Sequence, residues 1–312
     1  MIRRQRQRSG DNSTNIQAEV VRLGPSYEDV AAIARDTFRA NFLALSTEAA
    51  HLAEARAADI VDAVLHRLAA DAPDRLALFA EPWMQRCLFK AQEIHAFRGD
   101  AAVEGVLIET IVAQTNTTPN THAGIVLEES LLLLPRLTHT HLTMLALTFV
   151  VREAPLGPHV ESYEALRAHT RDFVVPFVSG LNPAPRDTLH LLRLGCATKH
   201  GYEESPVFAE VGWKYLARWD EQHESQMDRD AWSRQHDEVN SKAHKAVYEE
   251  IFAEPLLPAH ERDERRELLP PLDCTPPGLA LGYANARRVL GSQLDFDLCE
   301  ALNATGLDPD AD

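Results

Sequence analysis

Glycine is scarce and scattered in this chain, 14 in 312 residues with no cluster. No Gly-x4-Gly-Lys-Ser/Thr loop is present to cradle a phosphate, and no Gly-x-Ser-x-Gly elbow to present a nucleophile. Cys87, Cys196, Cys274 and Cys299 stand far apart without a Cys-x-x-Cys pair, which argues against a zinc ribbon. No His-Glu-x-x-His is found either. Uninterrupted apolar runs long enough to span a bilayer are missing, since the nearest, residues 131–151, is broken by Pro135, Arg136, His139 and His141. Met1-Ile2-Arg3-Arg4 leads into polar residues with no apolar segment, so no secretory leader is expected and a reduced, cytoplasmic protein is. Positive charge is also short: 31 basic residues against 47 acidic ones give a net −16. Such a body repels nucleic acid and anionic membrane at long range and favours solubility.

What remains is an ordinary globular composition, 45% hydrophobic and 25% charged, with ample length for a core. Its dominant pattern is the helix. Gly24-Pro25 closes a polar leader, and Ser26-Tyr27-Glu28-Asp29 has the form of a helix start. Tyr27, Val30, Ala31, Ala34, Phe38, Phe42 and Leu45 then recur at helical spacing. A second helix from near Ser46 would bury Ala53, Ala57, Ile60, Val61, Val64, Leu65 and Leu68. Pro82 suits a first turn and Gly99 a stop, with Trp83, Cys87, Leu88, Ala91 and Ile94 between them. Val103 to Gln114 reads as a further helix, Thr118-Pro119 as the opening of another through Leu134, and Thr138 as a cap. Leu131 to Leu134 is apolar on every side and reads as central.

Ser162 precedes a helix through Phe177, a shorter one spans about 187–197, and Ser205-Pro206 opens one reaching Trp219. Residues 220–240 read as a solvated loop before a helix through Val239, Ala243, Val247 and Ile251. Residues 254–274 look like a Pro- and charge-rich linker, and Thr275-Pro276 starts a last helix ended by Gly291. The alternation Gln293 to Leu298 suits one short strand or the lead into a terminal turn. The expected fold is all-α: a multi-helix bundle or irregular stacked hairpins, a disordered N-terminal tail and at most one short strand. Its expected parts are a tag over 1–24, a main helical domain over 25–220, a polar helix and linker over 221–274, and a C-terminal helix and tail over 275–312.

The leader is where sequence speaks of function. Asn12, Thr14, Asn15, Ile16 and Gln17 can form amide ladders when identical strands stack in register, as in amyloid-type signalling segments. The plainer reading is a polar chain end. Arg3, Arg4, Arg6 and Arg8 can contact phosphates, pair with an acidic neighbour or hold the tag apart by repulsion. No aromatic residue is interleaved among them, so single-strand stacking is unsupported and nucleic acid is not the expected partner. Fourteen histidines include His223, His236 and His244 in a polar stretch, weak candidates for a metal site; capping or solvated histidines are the plainer reading. Cys196, after Gly195 and near Lys199 and His200, has a faint thiolate-lowering context, against which stands a packed small residue.

The segment Gly10-Asp11-Asn12-Ser13-Thr14-Asn15-Ile16-Gln17-Ala18, followed by Ser26-Tyr27-Glu28-Asp29-Val30, resembles an uncharacterised bacterial all-helical family known only by locus-tag names. Asn41-Phe42, Leu137-Thr138-His139-Thr140-His141-Leu142 and Thr275-Pro276-Pro277-Gly278-Leu279-Ala280 carry the same resemblance. In this chain Glu19 follows Ala18 where the family continues Ala-Gly. The resemblance implies the fold class and no activity. Similar polar tags precede proteins of bacterial anti-phage or conflict systems, an analogy only.

These readings converge on a non-enzymatic interaction, scaffold or adaptor protein. It would assemble through its leader, with itself and with partners that carry a similar tag, and would need no cofactor. The alternatives are a metal-assisted hydrolase using His223, His236 and His244, or nucleic-acid binding through the Arg-rich leader.

Overall fold

The computed structural model describes residues 26–41, 47–179, 181–199, 206–223, 229–253 and 272–304. The leader residues Arg3, Arg4, Arg6, Arg8, Asn12, Thr14, Asn15, Ile16 and Gln17 lie outside them. The all-α expectation holds. Helix α1 (Tyr27–Asn41) begins where Ser26 and Asp29 exchange hydrogen bonds. Helix α2 (Thr47–Asp71) buries Ala53, Ala57, Ile60, Val61, Val64, Leu65 and Leu68, the face its periodicity predicts. A 3-10 segment (Pro73–Ala80) leads into α3 (Pro82–Arg98). There Gly99 turns left-handed at φ 57°, its N–H donating to the His95 carbonyl. Asp100 caps α4 (Ala101–Gln114) by accepting from the Ala102 and Val103 amides.

Helix α5 (His122–Leu133) starts later than Thr118-Pro119 suggests. Thr118 forms a turn in which its carbonyl accepts from Thr121, and Thr121 is the cap, accepting from the Gly124 amide. Thr138 caps α6 (His139–Thr148) as expected, in a reciprocal box with His141. A wider π turn (Phe149–Glu153) extends α6. Ser162 caps α7 (Tyr163–His169), which continues through a second π turn (Thr170–Val174) into α8 (Val175–Val178). Helix α9 is Pro185–Arg193, ending short of residue 197. Helices α10 (Val207–His223) and α11 (Arg229–Phe252) pack as a hairpin, so helix fills most of the stretch expected as a solvated loop.

Among the described residues two short strands stand where at most one was expected, and neither lies at 293–298. Strand β1 (Ala197–Lys199) pairs antiparallel with β2 (Leu272–Cys274), Thr198 opposite Asp273. The end of the expected linker is therefore part of the fold. This ladder sets α12 (Pro276–Leu290) in place: the Thr275 amide donates to Cys196 O at 3.3 Å and its hydroxyl to Gly195 O at 2.5 Å. A 3-10 turn (Gly291–Gln293) and α13 (Leu298–Ala304) follow, so α12 is not the last helix.

Helix α12 is the hub. It packs against α4, α5 and α6, elements more than a hundred residues away in sequence. Leu281 and Ala284 enter one apolar core with side chains of α1 to α4. Leu279, Ala280, Ala286 and Leu290 enter a second, which also takes residues of α7, α10 and α11. Small residues allow the close approach: a Cβ on Gly282 would stand 2.6 Å from the Leu145 carbonyl oxygen in α6. Leu131 and Leu134 are fully buried as expected, but Leu132 is 53% exposed, because the run lies at the rim of α5 and not at the centre.

Candidate functional site

Two surface features combine concavity with unusual chemistry. The first is a polar cleft of about 120 Å³. The start of α6 supplies His139, Thr140 and Thr143 on one face at one- and four-residue spacing. The segment around the end of α8 supplies Phe177, Ser179 and Asn182, and α12 supplies Asn285, Arg288 and Val289. Asn285 is only 1% exposed, and its Oδ1 accepts from Arg288 Nε at 3.0 Å. The Arg288 stem lies over Gly105 of α4, where a Cβ would meet its Cδ at 2.2 Å. Burial lowers the pKa of Arg288, opposed by Asp100, and the guanidinium makes no ion pair among the described residues.

The second feature is an apolar groove of about 240 Å³ between α3 and α5. Cys87 and Leu131 form its floor, Phe89 and Leu132 its walls. Charges edge it: Arg86 pairs with Glu128 across the groove, and Lys90 with Glu93 at 2.7 Å along α3.

The three histidines named as metal candidates do not converge. The His223 ring stacks on Trp219 at 4.7 Å and bonds its carbonyl through Nδ1. His236 lies 3.5 Å from Asp220 and against Trp232. His244 packs edge-on to Phe208 and Trp213. Eight residues of α11 separate His236 from His244, about 12 Å of helix rise. Among the described residues no group of three or more His, Cys, Asp or Glu side chains is placed to hold a metal. Cys196 is fully buried and burial pushes its thiol up to about 11, so at neutral pH it is a packed thiol and not a thiolate.

Ionisable groups gather elsewhere with structural roles. Arg152, in the first π turn, pairs with Glu210 at 3.3 Å and Asp273 at 3.0 Å, tying α6 to α10 and β2. Lys214 donates to the Ala154 carbonyl at 2.6 Å, and burial lowers its pKa to about 8 against the pull of Glu153 and Glu210. His141 lies 3.4 Å from Asp187 and stacks on His190 at 4.7 Å; its Nδ1 accepts from the Thr138 amide, a capping duty. The adjacent acids Glu249 and Glu250 diverge to separate partners, Arg167 and Arg171.

A family model for an uncharacterised protein family matches residues 24–212, more than half of the chain. The chain belongs to that family. No curated protein and no solved structure matches it. The family match spans α1 to the first part of α10, and so includes the α6 side of the cleft and the whole α3–α5 groove. Asn285 and Arg288, which close the cleft, lie beyond the match, as does the polar tag at residues 10–18. Among the described residues no helix is long and apolar enough to cross a membrane. No motif in the sequence marks the cleft, whose residues come from three separate stretches. Arg287-Arg288 at the end of α12 reads as the basic last turn that any helix favours, and nothing local marks Asn285.

Proposed function

We propose that this chain is a non-enzymatic interaction protein, a scaffold or adaptor that associates with copies of itself. The α3–α5 groove carries the reading. Leu132 on its wall is half exposed above the buried floor of Cys87 and Leu131, and its rim places Arg86 and Glu128 on opposite walls. That arrangement is self-complementary. A two-fold related copy can take Arg86 of each chain to Glu128 of the other while burying both Leu132 side chains. Full burial of an exposed leucine is worth roughly 1.5–3 kcal/mol, so each Leu132, already half buried, contributes roughly 1 kcal/mol. The leader adds a second order of assembly. Amide ladders from Asn12, Asn15 and Gln17 form only when several copies align, and pairs of bodies bring their leaders together. The likeness of the tag to those of bacterial anti-phage or conflict systems supports a sensor or adaptor role in such a system.

Sizing with light scattering separates the two devices. The full chain is expected as dimers and larger species. Deleting residues 1–20 is expected to leave folded dimers without larger species. Leu132→Glu, at a solvent-facing position, is expected to abolish the dimer and keep the helical spectrum. A full chain that is monomeric at every concentration overturns the proposal. So does higher-order assembly that survives loss of the leader.

A further inference from the structure

The chain carries 47 acidic residues against 31 basic ones, yet among the described residues no carboxylate lines the cleft between α6, the end of α8 and α12. Its polar lining is made of side chains that can donate hydrogen bonds. Asn285, 1% exposed, spends its Oδ1 on Arg288 and leaves its Nδ2 without a partner among the described residues. The same holds for the terminal nitrogens of Arg288, the Thr140 and Ser179 hydroxyls and the Asn182 side chain. An amide on a residue only 1% exposed and a half-buried guanidinium thus present their free donors to one space, and an anion with several acceptor oxygens is the ligand that can take them together. The first turn of α6 adds its positive end, His139 and Thr140 being its first two residues.

We infer that this cleft is an oxyanion site built for a single phosphate group. Size sets the limit. At about 120 Å³ the cleft is well below the roughly 300 Å³ at which pockets begin to enclose larger ligands. It holds a free orthophosphate, or the terminal phosphate of a molecule whose remainder lies in solvent. Arg288 grips two oxygens in a fork that its bond to Asn285 holds at a fixed angle. Asn285, Thr140 and Ser179 donate to the others. This site is independent of the α3–α5 groove and of self-assembly.

Calorimetric titration of the full chain with orthophosphate, and separately with adenosine monophosphate, tests it at constant ionic strength. Saturable binding of one equivalent is expected. Orthophosphate binding at least as tightly identifies the free ion as ligand; tighter binding of the nucleotide identifies a terminal phosphate. Arg288→Gln is expected to weaken either by about tenfold or more, the loss of a charged hydrogen-bonding partner. Ser179→Ala, at an exposed position, is expected to keep the fold and weaken binding by about threefold to tenfold. The inference is overturned if neither probe gives a saturable heat, or if Ser179→Ala and a folded Arg288→Gln both bind as the parent does.

Discussion

An added methyl at Gly282 should loosen the contact that joins the two cores. A Cβ there would lie 2.6 Å from the Leu145 oxygen and 3.1 Å from both the Leu145 carbonyl carbon and the Phe149 Cβ. The first two are backbone atoms of α6, so no rotamer change can relieve them. Helices α6 and α12 must move apart by most of an ångström to reach ordinary contact. Alanine is the better helix former by about 1 kcal/mol, so at an exposed site this change would stabilise. Here the gain is opposed by overpacking, which costs about 1–3 kcal/mol where side chains can adjust and more where only backbone can move. Phe149 and Leu145, both essentially unexposed, lose packing as the helices part.

The balance is a net loss of about 1–2 kcal/mol, or a fall in melting temperature of roughly 2–8 °C at the 2–4 °C per kcal/mol typical of large domains. Gly105→Ala is the comparison, because the three nearest atoms its Cβ would meet all belong to the Arg288 side chain, which can shift by giving up its bond to Asn285, whereas backbone cannot. Thermal unfolding followed by circular dichroism reads both. A Gly282→Ala chain that melts at or above the parent temperature, or above Gly105→Ala, refutes the argument that backbone contact sets this junction.

Two further outcomes follow from buried groups. His169 is 7% exposed and stacks on Phe173, and burial, aided by Lys214, His159 and Arg218, lowers its pKa from 6.5 to about 4. The unfolded chain therefore takes up this proton first as pH falls, so the contribution is intact above about pH 6.5 and lost progressively down to about pH 4. It is worth roughly 3 kcal/mol at most. Urea midpoints against pH should show that loss, His169→Gln should flatten it, and an unchanged slope in the variant counts against the assignment. A fragment of residues 24–212, the extent of the family match, lacks α12. It should keep helical signal without a cooperative melt, and a sharp transition there would show α12 to be dispensable.

Local information was legible in the sequence and long-range information was not. The buried face of α2 reads off residue by residue, because a 3.6-residue repeat needs no knowledge of its partner. Gly99 and Thr138 likewise mark their helix ends through bonds made within one turn. The start of α5 was misplaced because two threonines compete for the cap, and a Cβ on Gly124 only 2.2 Å from the Thr118 oxygen shows how tightly the preceding turn folds back. The ladder of β1 and β2 joins three-residue strands some seventy residues apart, too short for alternation to show. Leu132 looked central because composition cannot tell which side of an apolar helix meets solvent. The cleft draws on three stretches of chain with no common spacing, so no motif announces it.

Helix α12 gives these features one physical basis. Leu281 and Ala284 face the first core; Leu279, Ala280, Ala286 and Leu290 face the second. Asn285, Arg288 and Val289 remain for the cleft, opposite residues of α6 and of the segment after α8. An anion held there would bridge elements drawn from both sides of the hub. Its binding free energy would be lost only when α12 leaves its place, the event that also opens both cores. Ligand stabilisation of this kind appears in the global unfolding transition and not in the fraying of a surface loop. The Gly282 contact and the cleft are therefore coupled. A substitution that tilts α12 away from α6 displaces Arg288 from the α6 residues it faces, and should weaken anion binding even though Gly282 touches no part of the site.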